Sequence, residues 1–295
     1  MLVGYQQGTG IGCADSSFMT DLMLCEKAGF DVFEIRFDSL QRHLVSKSLA
    51  DVKSFFASSR IKPHCMGGHF LQPEDLSGSA RDTDIMTRFI AACHLAEQIG
   101  EHSFLIINHI LQKMTDKGPV DITDTDYPYS RDEVTEFTVR ILRRFCMIAA
   151  DYGLNIAFEP TCGRGGSVKT MDHALQIINE TGSDNIGLNL DSFNQYINGK
   201  NNDFSIYKDI PAEKIITVHI NNCDDKPLDV LIPQDRRFCD SGAIDLDDFM
   251  HNLSKIGYTG PVSIEVLRPE YYAWPIERVI SEAYRTTSEL VSKYR

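Results

Sequence analysis

The sequence predicts a (β/α)8 barrel, a TIM barrel, formed as one domain over residues 1–295. Three observations carry the prediction. Short runs of alternating apolar residues are separated by helical patterns, which is how parallel strands joined by crossover helices read. The strand–helix unit repeats eight times along the chain. No composition shift, Pro/Ser-rich stretch or charge block divides it. A doubly wound open sheet shares the alternation, but its dinucleotide sign is a G-x-G-x-x-G turn after the first strand. Gly8–Thr9–Gly10–Ile11–Gly12 has a different spacing.

The first predicted strand is Leu2–Gln6, followed by a loop at Gly8–Gly12. Asp15 and Ser16 offer caps for a helix running to Ala28 and stopped by Gly29. Asp31–Phe37 alternates, with Val32, Glu34 and Arg36 on one face and Phe33, Ile35 and Phe37 on the other. Ser48 opens a helix to Ser58, and Ile61–His69 holds the third strand. Ala80–Ile99 reads as a long amphipathic helix and Phe104–Ile110 as the fourth strand. Leu111–Ser130 is an extended loop rich in Asp, Gly and Pro, after which Ser130 caps a helix to Tyr152. Ile156–Pro160 is the fifth strand, ended by a proline that has no N–H for the ladder. A helix follows from Thr170 to Glu180, then the sixth strand Ile186–Asp191, a weak helical signal at Asp203–Lys208 and the seventh strand Ile215–Asn221. The long loop Asn222–Ala243 leads to a helix capped by Asp245, whose Leu246, Phe249, Met250, Leu253 and Ile256 share one face. Pro261–Val266 is the eighth strand, and Pro275 stands near the start of the last helix.

Composition narrows the function. A net charge of −13 argues against a phosphate-backbone partner, which needs a basic surface. No apolar run approaches the ~18 residues of a membrane-spanning helix. Met1–Tyr5 enters a strand pattern at once, without the basic region or cleavage site of a secretory leader. The eight cysteines are scattered, none in C-x-x-C spacing, which predicts reduced thiols in the cytoplasm.

The chemistry collects at strand ends. In the fifth strand Leu154, Ile156 and Phe158 oppose Ala157 and Glu159. In the later strands Leu188 and Leu190 oppose Gly187, Asn189 and Asp191; Val218 and Ile220 oppose Thr217, His219 and Asn221; Val262, Ile264 and Val266 oppose Ser263 and Glu265. In a barrel the apolar faces meet the helices and the others point inward. Glu159, Asp191, His219 and Glu265 then converge at the C-terminal rim, where such barrels carry their active sites. Carboxylates this close repel by about 4 kcal/mol per pair at an effective dielectric near 20. One divalent ion, Mn2+, Mg2+, Co2+ or Zn2+, resolves the conflict. The bland alternative is a core histidine bonded to backbone and carboxylates paired singly with arginines. The separations favour convergence: 32 residues from Glu159 to Asp191 and 28 from Asp191 to His219 are each about one βα unit. The 46 residues from His219 to Glu265 include the long loop with Asp235, Arg236 and Arg237, a candidate clamp on a hydroxyl-rich or anionic substrate, with a solvated turn as the alternative. Gly163–Arg164–Gly165–Gly166 lacks a P-loop lysine and reads as an active-site loop.

The order Glu, Asp, His, Glu on strands five to eight resembles the xylose-isomerase-like sugar isomerase and epimerase barrels. Asp235–Arg236, Gly242–Asp247 and Ser263–Tyr272 resemble the inosose (2-keto-myo-inositol) isomerases, as do Phe33–Phe37 and Leu190–Phe193. The resemblance implies a metal held by Glu159, Asp191, His219 and Glu265, and substrate contacts from Arg236, Arg268 and Glu34. Where that family carries His three residues after the metal Asp, in contact with substrate, this chain has Asn194. An amide bonds a hydroxyl but cannot carry a proton as imidazole does. Where the family tends to have Pro-Gly-acidic/Gln-Gly, this chain has Cys239–Asp240–Ser241–Gly242.

The expectation is a metal-dependent isomerase or epimerase acting on a keto-inositol or ketose, a small polyhydroxylated carbonyl compound. Glu159 and Glu265 are the expected proton-transfer pair. An inosose or dehydroshikimate-type dehydratase on the same site is the alternative. The −13 charge opposes an endonuclease of similar fold, and a non-catalytic sugar-binding barrel requires no stoichiometric metal. Barrels of this kind often dimerise, so a homo-oligomer is a further expectation.

Overall fold

All eight predicted strands lie in a closed parallel barrel: β1 (Leu2–Gln6), β2 (Val32–Arg36), β3 (Lys62–Phe70), β4 (Ser103–Ile107), β5 (Asn155–Glu159), β6 (Ile186–Asp191), β7 (Ile215–Ile220) and β8 (Pro261–Ile264). Each strand pairs with its sequence neighbours, and β8 closes on β1 through Leu2–Pro261 to Tyr5–Ile264. The computed structural model describes residues 1–71, 80–108, 112–115, 118–121, 129–161, 166–198 and 202–294. Helices pack outside: α1 (Phe18–Ala28), α2 (Phe37–Leu44), α3 (Leu49–Ser58), α4 (Ala80–Ile99), α5 (Arg131–Ala150), α6 (Met171–Thr181), α7 (Ser192–Asn198), α8 (Leu246–Lys255), α9 (Pro269–Tyr272) and α10 (Ile276–Ser292).

The alternation of each strand decides which side chains go where. Ile156, Phe158, Leu188, Leu190, Val218, Ile220, Val262 and Ile264 are buried in the layer between barrel and helices. A small separate cluster of Cys65, Leu105 and Ala157 fills the barrel interior. The interior is tight at Gly4, where a Cβ would stand 2.1 Å from Ser263 Oγ and 2.9 Å from Val32 Cγ2. Only glycine lets β1 approach β2 and β8 there.

Helix signals held where a side chain caps the end. Ser130 and Glu133 form a capping box on α5, and Asp245 accepts from the Asp248 amide at 3.0 Å on α8. Gly29 ends α1 in the left-handed region at φ 115°. The first cap is corrected: Ser17, not Asp15 or Ser16, accepts from the Thr20 amide. Asp15 instead accepts from the Ile276 amide at 3.0 Å, satisfying the start of α10, whose proline cap has no side-chain acceptor. α2 and α7 start on the residue after β2 and β6, with no intervening loop to announce them. The weak signal at Asp203–Lys208 is a 3-10 turn, Ser205–Asp209. β4 covers Ser103–Ile107, the Asn108 amide still bonds the Glu159 carbonyl of the neighbouring strand at 3.1 Å, and the last two residues of the predicted strand, 109–110, lie outside the described residues. The predicted loop after it contains an antiparallel hairpin of Gln112–Thr115 with Gly118–Asp121. A second hairpin, Asn222–Cys223 with Arg236–Arg237, organises the loop after β7. The glycine-rich stretch 163–166 has only Gly166 among the described residues.

The described cysteines are all free, and Cys162 lies outside the described residues. Among the described residues no helix is long and apolar enough to cross a membrane.

Candidate metal centre

Strand register brings the four predicted ligands together. Glu159 ends β5, Asp191 ends β6 opposite His219 of β7, and Glu265 follows β8 with its amide bonded to the Ile220 carbonyl at 3.1 Å. One ligand atom from each lies within 4.8 Å of the others. Glu159, Asp191 and His219 are buried, and the Glu265 side chain keeps 12% of its exposure.

Each ligand is held by a second group. Glu159 Oε1 accepts from the Asn194 side-chain amide at 2.9 Å. Asp191 Oδ1 accepts from the Asn194 backbone amide at 2.7 Å, and its Oδ2 from Arg236 at 3.1 Å and Asn221 at 3.2 Å. Glu265 Oε2 accepts from Arg236 at 2.6 Å and stands 3.5 Å from His219 Nδ1. His219 Nε2 meets Glu34 Oε2 at 2.8 Å, while Glu34 Oε1 accepts from Thr217 Oγ1 at 2.7 Å. With Nε2–H given to Glu34, Nδ1 is the nitrogen turned toward Glu265, able to ligate an ion once it gives up its proton, and a carboxylate on the far nitrogen is the arrangement that fixes a metal-ligating histidine. Asn189 reaches the same nitrogen at 3.0 Å.

The electrostatics of these groups match a site short of positive charge. Burial pushes the Glu159 carboxyl up to about 8, with Glu265 and Asp191 adding to it against the pull of His219 and Arg236. Burial also raises Asp191. Glu265 is driven down to about 2: burial opposes this, but His219 and Arg236 prevail. Burial likewise opposes charging His219, yet Glu34 and Glu265 hold its imidazole well above the usual range. Oxygen and imidazole donors of this kind fit Mn2+, Mg2+, Co2+ or Zn2+. Ligation requires Glu159 and His219 Nδ1 without their protons. Metal affinity is therefore expected to rise with pH up to and beyond about 8, with at least one proton released per ion. Calorimetric titrations in buffers of different ionisation enthalpy check both.

The other predicted residues divide. Arg236 turns inward, 4% exposed, with its guanidinium 5.1 Å from the Phe193 ring centroid. Arg237 turns away to Asp224 at 2.9 Å, so one arginine of the pair faces the site. Arg268 joins the same Asp224 at 3.0 Å and lies 3.4 Å from the Asp235 and Arg236 carbonyls. These contacts give it a place in holding the Arg236 hairpin. Glu34 lies beneath the ligands with both oxygens engaged inside the barrel. Its substitution by Gln is expected to weaken metal binding ~10–100-fold, by loosening His219, measured by chelator competition. Asn189, Thr217 and Asn221 sit on the inward faces that the strand alternation defines, and hydrogen-bond demand near the ligands is the signal that picks them out.

Four candidate ligands converging from consecutive strands at the C-terminal rim, a group that could hold a divalent ion, are the arrangement of a (β/α)8 enzyme barrel. Residues 22–290 match the xylose isomerase-like TIM barrel family, and the chain belongs to it. The inosose isomerase of Bacillus velezensis is 32% identical over 286 residues, spanning 95% of this chain and 94% of that protein. The inosose isomerase of Halalkalibacterium halodurans is 31% identical over 300 residues, spanning 100% and 98%. The crystal structure of the IOLI protein with a bound zinc atom superposes with a TM-score of 0.88 at 30% identity, covering 100% of this chain and 99% of that one.

Proposed function

We infer that the protein is a metal-dependent isomerase of keto-inositols or related ketoses. The observation that carries the reading is the buried Glu159–Asp191–His219–Glu265 cluster, in a chain similar over its whole length to inosose isomerases. Glu159, Asp191, His219 and Glu265 are the residues proposed to hold the ion. When bound, it supplies Lewis-acid polarisation of a carbonyl and an adjacent hydroxyl.

The two glutamates have different environments and so different roles. Glu265 is held ionised by Arg236 and His219, and serves to ligate and orient. Glu159 is bonded on one oxygen by a neutral amide, and burial pushes its carboxyl up to about 8. Asp191 and Glu265 each accept a hydrogen bond from Arg236 and Glu159 accepts one from a neutral amide, a difference that favours Glu159 as the general base. Glu159 therefore takes the proton from the carbon beside the carbonyl and returns it to the former carbonyl carbon, while the hydroxyl proton passes between the two oxygens. Asn194 steadies Glu159 for both transfers and offers its amide to a substrate hydroxyl. Arg236 faces the substrate oxygens. Glu34 and Arg268 act through His219 and through the hairpin.

A substrate deuterated at the carbon beside the carbonyl tests this assignment. One carboxylate doing both transfers leaves part of the label on the neighbouring carbon of the product. Complete washout, unchanged at short times, removes the support for one carboxylate making both transfers, and loss of solvent proton incorporation in Glu265→Gln at saturating metal would then assign the second transfer to Glu265. An enone absorbance in place of isomer marks the dehydratase alternative.

A further inference from the structure

Arg236 touches two of the proposed ligands at once. Nη2 donates to Asp191 Oδ2 at 3.1 Å and Nη1 to Glu265 Oε2 at 2.6 Å, so one guanidinium spans β6 and the end of β8 across β7. The arginine is held there from behind. The hairpin that carries it is closed by Asn222–Arg237 and Cys223–Arg236 pairing, and tied down by Arg237 and Arg268 on Asp224 and by Lys226 on Asp235 at 2.5 Å. Phe193, fully buried, underlies the guanidinium. A bridge with so many fixed supports lies outside what substrate contact alone requires.

We propose that Arg236 is the site's resident counter-cation: its fixed charge on Asp191 and Glu265 holds metal affinity below what the four ligands would otherwise give. The proposal rests on the metal-site reading above. A permanent +1 shares carboxylate oxygens with residues that must also face a +2 ion, and in a buried site the repulsion between them is poorly screened. Guanidinium does not lose its charge in proteins, so the opposition is independent of pH. Two consequences follow. The cluster tolerates metal-free life because Arg236 neutralises part of it. Any substrate group that draws Arg236 toward itself relieves the opposition, so metal and substrate strengthen each other's binding, as linkage requires.

The test compares the wild type with Arg236→Met, which keeps much of the stem, and Arg236→Lys, which keeps the charge but not the two-pronged bridge. Metal dissociation constants for Zn2+ and Mn2+ are measured by chelator competition on chelator-stripped protein, alongside thermal unfolding with and without metal. Arg236→Met is expected to bind metal at least tenfold more tightly, to unfold at lower temperature when metal-free, and to gain more in unfolding temperature from the ion than the wild type does. Arg236→Lys is expected to stay within about threefold of the wild type. Unchanged or weaker binding in Arg236→Met overturns the proposal and makes the arginine a scaffold for its carboxylates. If Arg236→Met does not fold, a Lys variant that binds tenfold more weakly or more tightly than wild type overturns it in the same way, and one that matches wild type supports it. Absence of stoichiometric metal in the wild type itself refutes the metal reading, a different result from an unaltered affinity.

Discussion

Glu159→Gln is expected to lower kcat by ~10³-fold or more, the upper range for loss of a general base, with substrate KM little changed. The amide keeps the size of the side chain and a carbonyl oxygen, but it cannot accept and release a proton at neutral pH. It also meets the Asn194 amide, which now donates to Glu159 Oε1 at 2.9 Å, and can do so through its own oxygen. Metal binding should weaken, and kinetics at saturating metal separate that loss from the chemical one. Glu265→Gln is the control. Its carboxylate is the one paired with Arg236 and His219, so its removal should raise the metal requirement first. With metal in excess, activity should return further in Glu265→Gln than in Glu159→Gln. The reverse order would assign the base to Glu265.

Asp191→Asn is expected to reduce metal affinity by at least ~10³-fold. The estimate follows from Coulomb attraction, about 4 kcal/mol between unit charges 4 Å apart at an effective dielectric near 20 and more for a divalent ion. The replacement also disrupts the local bonding. Asp191 Oδ2 accepts from both Arg236 and Asn221, and an amide nitrogen there would face two donors. The metal-free variant should nevertheless unfold near the wild-type temperature, because losing an acceptor is offset by relief of carboxylate crowding. What should disappear is the rise in unfolding temperature on adding metal, since only an ion that binds the native state stabilises it. Calorimetric metal titration and paired melting curves measure both.

The convergence of the four candidate ligands was legible in the sequence because strand geometry is simple. A period of two places Asp191, His219 and Glu265 on the same side as Gly187, Thr217 and Ser263, and the βα spacing puts them on adjacent strands. The neighbours that hold the ligands were less legible. Asn194 reaches Glu159 because α7 starts on the residue after β6, and a helix with no loop before it leaves no boundary signal. Glu34 reaches His219 across the barrel, a contact of 185 residues' separation that only closure creates. Asp224 gathers Arg237 and Arg268 from two different loops, which no local pattern links. The displaced cap has the same origin: Asp15 serves α10, at the other end of the chain, because β1 and β8 are neighbours in the barrel.

In the proposed reaction this buried cluster moves a proton next to a carbonyl with the help of a divalent ion. Proton exchange followed by NMR in heavy water, across a panel of inososes and ketohexoses, tests it most directly. Protein stripped by chelator should leave the proton beside the carbonyl in place. Restoring one equivalent of Zn2+ or Mg2+ should replace it by deuterium in at least one keto-inositol. Exchange that persists in stripped protein, or no exchange anywhere in the panel from protein holding one ion per chain, would contradict the account.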